Sequence, residues 1–102
     1  MSTLHTINKS PYSTSTVLSC LRVCMINDGI LLLEDGVFGI IPSAPCAKSL
    51  QSLIKQGVTV YALIDDVKAR GIEAKSAVNI QLIDYDKFVQ LTIDYRRVQS
   101  WY

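Results

Sequence analysis

The sequence predicts a three-layer α/β/α domain built on a mainly parallel sheet of four to five strands. Three observations lead there. Short apolar or β-branched runs alternate four times with amphipathic stretches. The run Ile30-Leu31-Leu32-Leu33 is apolar throughout, as a strand covered on both faces must be. Turn-forming groups, Asn27-Asp28-Gly29, Glu34-Asp35-Gly36, Gly57 and Gly71, separate the segments. Strand and helix in alternation imply right-handed crossovers with helices on both faces. At 102 residues and 49% hydrophobic content, a single domain over 1–102 fills the chain.

Leu4-His5-Thr6-Ile7 forms the first short strand, and the hydroxyl-rich stretch from Ser10, with Pro11 inside it, begins as a loop. Ser13, Thr14 or Ser15 then caps a helix running to about Met25. At about 100° per residue, Val17, Leu18, Leu21, Cys24 and Met25 share an apolar arc. This places Cys24 on the core face and Cys20 at its margin. Val37 to Ile41 starts a short helix that Pro42 and Pro45 interrupt, and a second helix covers about Cys46 to Gln56, with Gly57 as its left-handed stop. Val58 to Ile64, β-branched and carrying Tyr61, is expected at the centre of the sheet. Asp65 or Asp66 caps a short helix closed by Gly71, and Val78-Asn79-Ile80-Gln81-Leu82 alternates as a strand near an edge does. A last helix from Asp84 or Asp86 carries the stripe Phe88, Leu91, Thr92 and Tyr95.

Composition excludes several classes. The net charge is +1, and no like-charge run exceeds Arg96-Arg97, so nothing marks a nucleic-acid surface. No apolar run approaches the roughly 18 residues that span a bilayer, and no leader pattern precedes the first strand, which gives the expectation of a cytoplasmic protein. Cys20, Cys24 and Cys46 are odd in number, lack a CxxC, and have only His5 as an imidazole companion. Neither a disulfide framework nor a metal site is expected, and no cofactor. What remains is core thiols or a reactive thiol.

Several segments taken in order resemble the TusB/DsrH family. They are Leu4-His5-Thr6 with Lys9-Ser10-Pro11, Leu31-Leu32-Leu33-Glu34-Asp35-Gly36-Val37, and Val60-Tyr61-Ala62-Leu63 with Asp66. Ala69-Arg70-Gly71, Asp84-Tyr85 with Phe88-Val89 and Leu91-Thr92, and the ending Gln99-Ser100-Trp101 continue the likeness. Pro42 to Gln51 departs from the pattern. The resemblance implies a DsrEFH-like fold and a subunit of a heteromeric sulfur relay that passes cysteine persulfide. It implies two sister subunits, of TusC/DsrF and TusD/DsrE type, in a heterohexamer, fed by upstream persulfide carrier proteins. The TusB branch serves 2-thiolation of the tRNA wobble uridine, and the DsrH branch serves cytoplasmic sulfur oxidation. Ser19-Cys20-Leu21 matches the DsrH setting, which makes Cys20 the candidate persulfide carrier. A scaffold subunit without a working cysteine is the alternative within the same family.

Persulfide transfer needs a reachable thiol that forms a thiolate, and Cys20 at a helix margin meets the first need in part. The bland alternative makes Cys20 a small core hydrophobe, as free cysteines often are. Cys24 and Cys46 are read as packing thiols, and His5 as a satisfied core residue rather than a base. Asp35-Gly36 follows the second strand, where open α/β sheets bind ligands, but reads as a strand-to-helix turn with a capping aspartate. Trp101 and Tyr102 form either a contact patch or a cover over the domain's own core. A flavodoxin-like nucleotide or flavin module ranks last, since neither a GxGxxG nor a P-loop is present.

Overall fold

The computed structural model describes residues 2–101. Strands β1 (Thr3–Ile7), β2 (Gly29–Leu32), β3 (Thr59–Leu63), β4 (Gln81–Ile83) and β5 (Arg97–Trp101) alternate with helices α1 (Thr16–Val23), α2 (Ala47–Lys55), α3 (Ile64–Ala69) and α4 (Tyr85–Asp94). Two 3-10 segments, Glu34–Ile40 and Ala74–Ser76, complete the chain. The strands lie in the order β4-β3-β2-β1-β5, and every pairing is parallel.

Strand alternation sorts the interior into two cores. Ile7, Ile30, Leu32, Val60 and Ala62 point to the face carrying Val17 and Cys20 of α1 and Leu50 of α2. Leu4, Leu31 and Tyr61 point to the opposite face, where Phe88 and Leu91 of α4 and the following Tyr95 cover them. The layering follows from the route of the chain. Steps from β1 to β2 to β3 run one way along the sheet, so crossovers of one hand put α1 and α2 on one face. The return from β4 to β5 runs the other way and puts α4 on the other. Four interstrand gaps measure roughly 19 Å, and a ten-residue helix spans about 15 Å.

β2 is buried along its whole length and is the middle strand. The expectation that Val58 to Ile64 is central is corrected by one position, since β3 lies beside the middle strand. The strand expected over Val78 to Leu82 is confined to Gln81–Ile83, because Asn79 takes a positive φ of 62° that breaks the extended chain. That turn is tied down by Gln51, which donates to the Val78 carbonyl at 2.8 Å and accepts from Asn79 at 3.2 Å. Asp84 caps α4 by accepting from the Lys87 amide at 2.8 Å. Thr92, placed in the buried stripe by spacing, is exposed, and its hydroxyl donates to the Val89 carbonyl. Gly57 ends α2 at φ 107°, as its sequence position implies.

β5 has no counterpart among the strands expected from the sequence. Arg97 to Ser100 are exposed, and Val98 is the sole aliphatic residue in the strand. Its order comes from pairing with β1 over the full register Thr3↔Arg97 to Ile7↔Trp101. Among the described residues, no helix is long and apolar enough to cross a membrane.

Gly36 packs against backbone rather than side chain, and a Cβ there would collide with the Ile7 carbonyl oxygen. The same oxygen accepts from the Leu33 amide at 3.0 Å, closing the turn after β2 onto the end of β1. Gly36→Ala should therefore lower stability by about 1–3 kcal/mol, as overpacking against unyielding atoms does. Urea unfolding checks this, and an unchanged midpoint would contradict the close approach.

Candidate functional site

The chemistry-bearing side chains gather between β1, the end of α1 and the approach to β2. His5 sits on the α1-facing side of β1 and is 5% exposed. Asp28 stands one residue before β2, equally buried, and its carboxylate is fully engaged. Its Oδ1 accepts from the Thr3 amide at 3.0 Å, and its Oδ2 accepts from the Met25 amide at 3.0 Å and lies 3.0 Å from His5 Nε2. On the other side of the ring, the Trp101 indole donates to His5 Nδ1 at 3.1 Å. An indole N–H only donates, so Nδ1 keeps its lone pair, and the proton of the neutral ring lies on Nε2, directed at Asp28.

Cys24 is the C-cap of α1, where the backbone turns extended (ψ 140°). Its Sγ lies 3.9 Å from Cys20 Sγ, one helical turn back. The two sulfurs and a His5 ring nitrogen all lie within 4.8 Å of one another. Cys20 is completely buried, whereas Cys24 is partly exposed. The placement of Cys20 at the helix margin is thus overturned. Leu18 and Met25, counted in the expected apolar arc, are both exposed, and α1 ends before Met25. Removing those two turns the inward direction towards Cys20.

The thiols are polarised against each other. Cys24 is pulled down to about 6, first by the hydrogen bond from Cys20, against the cost of burial, and then by His5. Cys20 is pushed up by the same contact with Cys24 and by burial. His5 is raised by Cys24 beside it, against burial, and by Asp28; the Trp101 N–H opposes that rise, because a protonated Nδ1 could no longer accept it. Burial works to raise Asp28, but the bonds from His5, Met25 and Thr3 outweigh it and hold the carboxyl below its ordinary range.

Two thiols and an imidazole so close are also a possible ligand set for a metal ion. The imidazole does not fit that part, since Asp28 takes the Nε2 proton and Trp101 takes the Nδ1 lone pair. What the arrangement offers is a nucleophilic sulfur next to a buried donor thiol. An open cleft of about 600 Å³ adjoins it, lined by His5, Asp28 and Trp101 with Val23, Met25 and Val98.

The other residues that the sequence singles out lie elsewhere or take other parts. Cys46 is buried with its thiol 3.9 Å from the Gly39 carbonyl. Asp35 does not cap a helix: it pairs with Arg70 at 2.9 Å, while Asp66 accepts from the Glu34 amide at 2.7 Å. Trp101 folds back onto the core, and Tyr102 lies outside the described residues. Sequence reasoning misses Asp28, which reads there only as turn punctuation. The i, i+4 spacing of Cys20 and Cys24 is the visible signal for the thiol pair.

Fold and site together define a small parallel α/β protein with paired helix thiols beside a buried His–Asp–Trp linkage. Residues 9–98 match the family described as DsrH like protein. The chain is 37% identical over 98 residues to protein TusB of Escherichia coli K12, covering 96% of this chain and 99% of that protein. It is 34% identical over 98 residues to protein TusB of Pectobacterium parmentieri, with the same coverage. The crystal structure of the ychN protein from E. coli superposes with a TM-score of 0.83 at 16% identity, covering 98% of this chain and 99% of that one. A protein of unknown function from Methanobacterium thermoautotrophicum superposes at 0.78 with 14% identity, covering 96% and 97%. The chain belongs to the DsrH/TusB family.

The His5–Asp28 pair sets a pH dependence whose sign follows from the two shifts. Asp28, held low, stabilises fully above the unfolded carboxyl value near ~3.9, and that contribution is lost as pH falls through its lower folded value. His5, held high, contributes fully below the unfolded value near ~6.5, and that is lost as pH rises through its folded value. Asp28→Asn should cost about 2 kcal/mol, with the gap to the parent widest between about pH 4 and 6.5. Thermal melts from about pH 3 to about pH 9 check this; a gap that does not vary with pH would exclude the pair as its source.

Proposed function

We propose that this chain is a subunit of a sulfur-relay complex that passes sulfur as cysteine persulfide, working in the cytoplasm beside two sister subunits of TusC/DsrF and TusD/DsrE type in a heterohexamer. The observation that carries this reading is whole-length membership of the DsrH/TusB family, with matches to TusB proteins that leave only a few residues uncovered. Within it, delivery of sulfur towards 2-thiolation of the tRNA wobble uridine is favoured by the TusB relatives at 34–37% identity. The net charge of +1 favours a subunit that leaves RNA binding to others. Upstream persulfide carrier proteins supply the sulfur.

Two further observations pull in different directions. Ser19-Cys20-Leu21 resembles the DsrH setting, which favours a subunit in sulfur oxidation. The complete burial of Cys20 favours a scaffold in which a sister chain holds the working thiol. We take Cys20 to belong to the transfer site, because it touches the partly exposed Cys24 rather than packing among aliphatic groups alone.

Co-expression with the two sister subunits and native mass spectrometry tests the assembly; all three chains should appear in one complex, and a chain that ignores both sisters would end the relay reading. Cys20→Ala in that complex should lower sulfur transfer by about tenfold or more, through loss of the thiol contact. Undiminished transfer would remove Cys20 from the transfer site.

A further inference from the structure

The relay reading leaves open which sulfur atom of this chain reacts, and the geometry answers differently from the sequence. We propose that Cys24, rather than Cys20, is the thiol that receives sulfur from a donor persulfide, and that Cys20 is a positioning residue, the buried hydrogen-bond donor to it. The proposal rests on the relay reading for its substrate class and deepens it.

Access is the first argument. Cys20 and Cys46 are sealed at 0% exposure, while Cys24 is partly exposed and sits between Val23 and Met25, both of which line the cleft. A sulfur atom added to Cys20 would have to displace core atoms, since Cys20 packs in the same cluster as Val17, Ile7 and Ile30. Cys24 lies past the last helical residue, where the backbone turns extended, and is packed against the core while remaining partly exposed.

Polarity is the second. An anion at Cys20 would have the Cys24 thiol at 3.9 Å and the His5 ring within 4.8 Å as neighbours, but would be sealed from water, and full burial makes a charge there costly. At Cys24 the anion meets the buried Cys20 thiol at 3.9 Å and keeps partial access to water. The C-terminal end of a helix repels an anion. The Cys20 thiol and the partial exposure of Cys24 therefore do the stabilising, and the lowered Cys24 and raised Cys20 agree with that direction of donation.

The step balances without an oxidant or reductant. The Cys24 thiolate attacks the outer sulfur of R–S–SH. The Cys24 Sγ–S bond forms as the donor S–S bond breaks, the bonding pair leaves on the donor as RS⁻, and the transferred sulfur keeps its proton as Cys24–S–SH.

The chain is incubated with glutathione persulfide, trapped by alkylation and cut with trypsin; cleavage after Arg22 puts Cys20 and Cys24 on separate peptides. The mass gain of about 32 Da for one sulfur atom should fall on the Cys24 peptide, and Cys24→Ser should abolish it with an unchanged circular dichroism spectrum. Cys20→Ala should slow loading about tenfold and move the pH profile of Cys24 alkylation upward, whereas Cys20→Ser, which keeps an O–H donor, should restore most of both. Sulfur on Cys20, loading of Cys24→Ser, or an alkylation profile indifferent to Cys20→Ala would each overturn the proposal. Assembly with the sister subunits separates the two ideas. A chain that assembles but never loads Cys24 refutes this assignment and spares the relay reading. A chain that loads Cys24 yet ignores its sisters keeps the assignment and refutes the relay.

Discussion

The His5 imidazole is held from both sides, by the Asp28 carboxylate ahead of β2 and by the Trp101 indole at the end of β5. Three strands that are distant in sequence are thereby joined through one ring. Asp28 also accepts from Thr3 and Met25, so the same carboxylate fixes the start of β1 and the loop leaving α1. The position of Cys24 depends on that loop, because it is the residue at which α1 gives way to it. Burying this much polarity is tolerable only because each partner is satisfied; removing one would strand the others in a low-dielectric interior.

The same linkage explains why a poorly apolar last strand is ordered at all. β5 buries little of its own, but its backbone pairs with β1 along five residues, and Trp101 supplies both an apolar contact with the main core and a hydrogen bond. An edge strand anchored by its final side chain closes one side of the cleft, which Val23 and Met25 also line.

Much of the fold is legible in the sequence because strand and helix periodicities differ and because glycine and aspartate mark the turns. Ile30 to Leu33 announces a strand with two covered faces, Gly57 announces the end of α2, and Asp84 announces the start of α4. β5 is not legible, since its stability is lodged in long-range pairing that no local composition reports. The site is legible only in pieces. Cys20, Cys24, His5 and Trp101 are each visible, but helical phase alone misassigns which thiol faces inward, as the exposed Leu18 and Met25 shift the expected arc. The part played by Asp28 depends on β1 and β2 pairing in the register Leu4↔Gly29, a tertiary fact.

The tautomer of His5 tests the central linkage most directly. Nitrogen-15 NMR of the imidazole in the labelled chain, above the His5 titration, should show the proton on Nε2, a bare Nδ1, and a Trp101 indole proton shifted downfield and slow to exchange. A ring protonated on Nδ1, or an indole proton that exchanges as freely as one in solvent, would contradict the account.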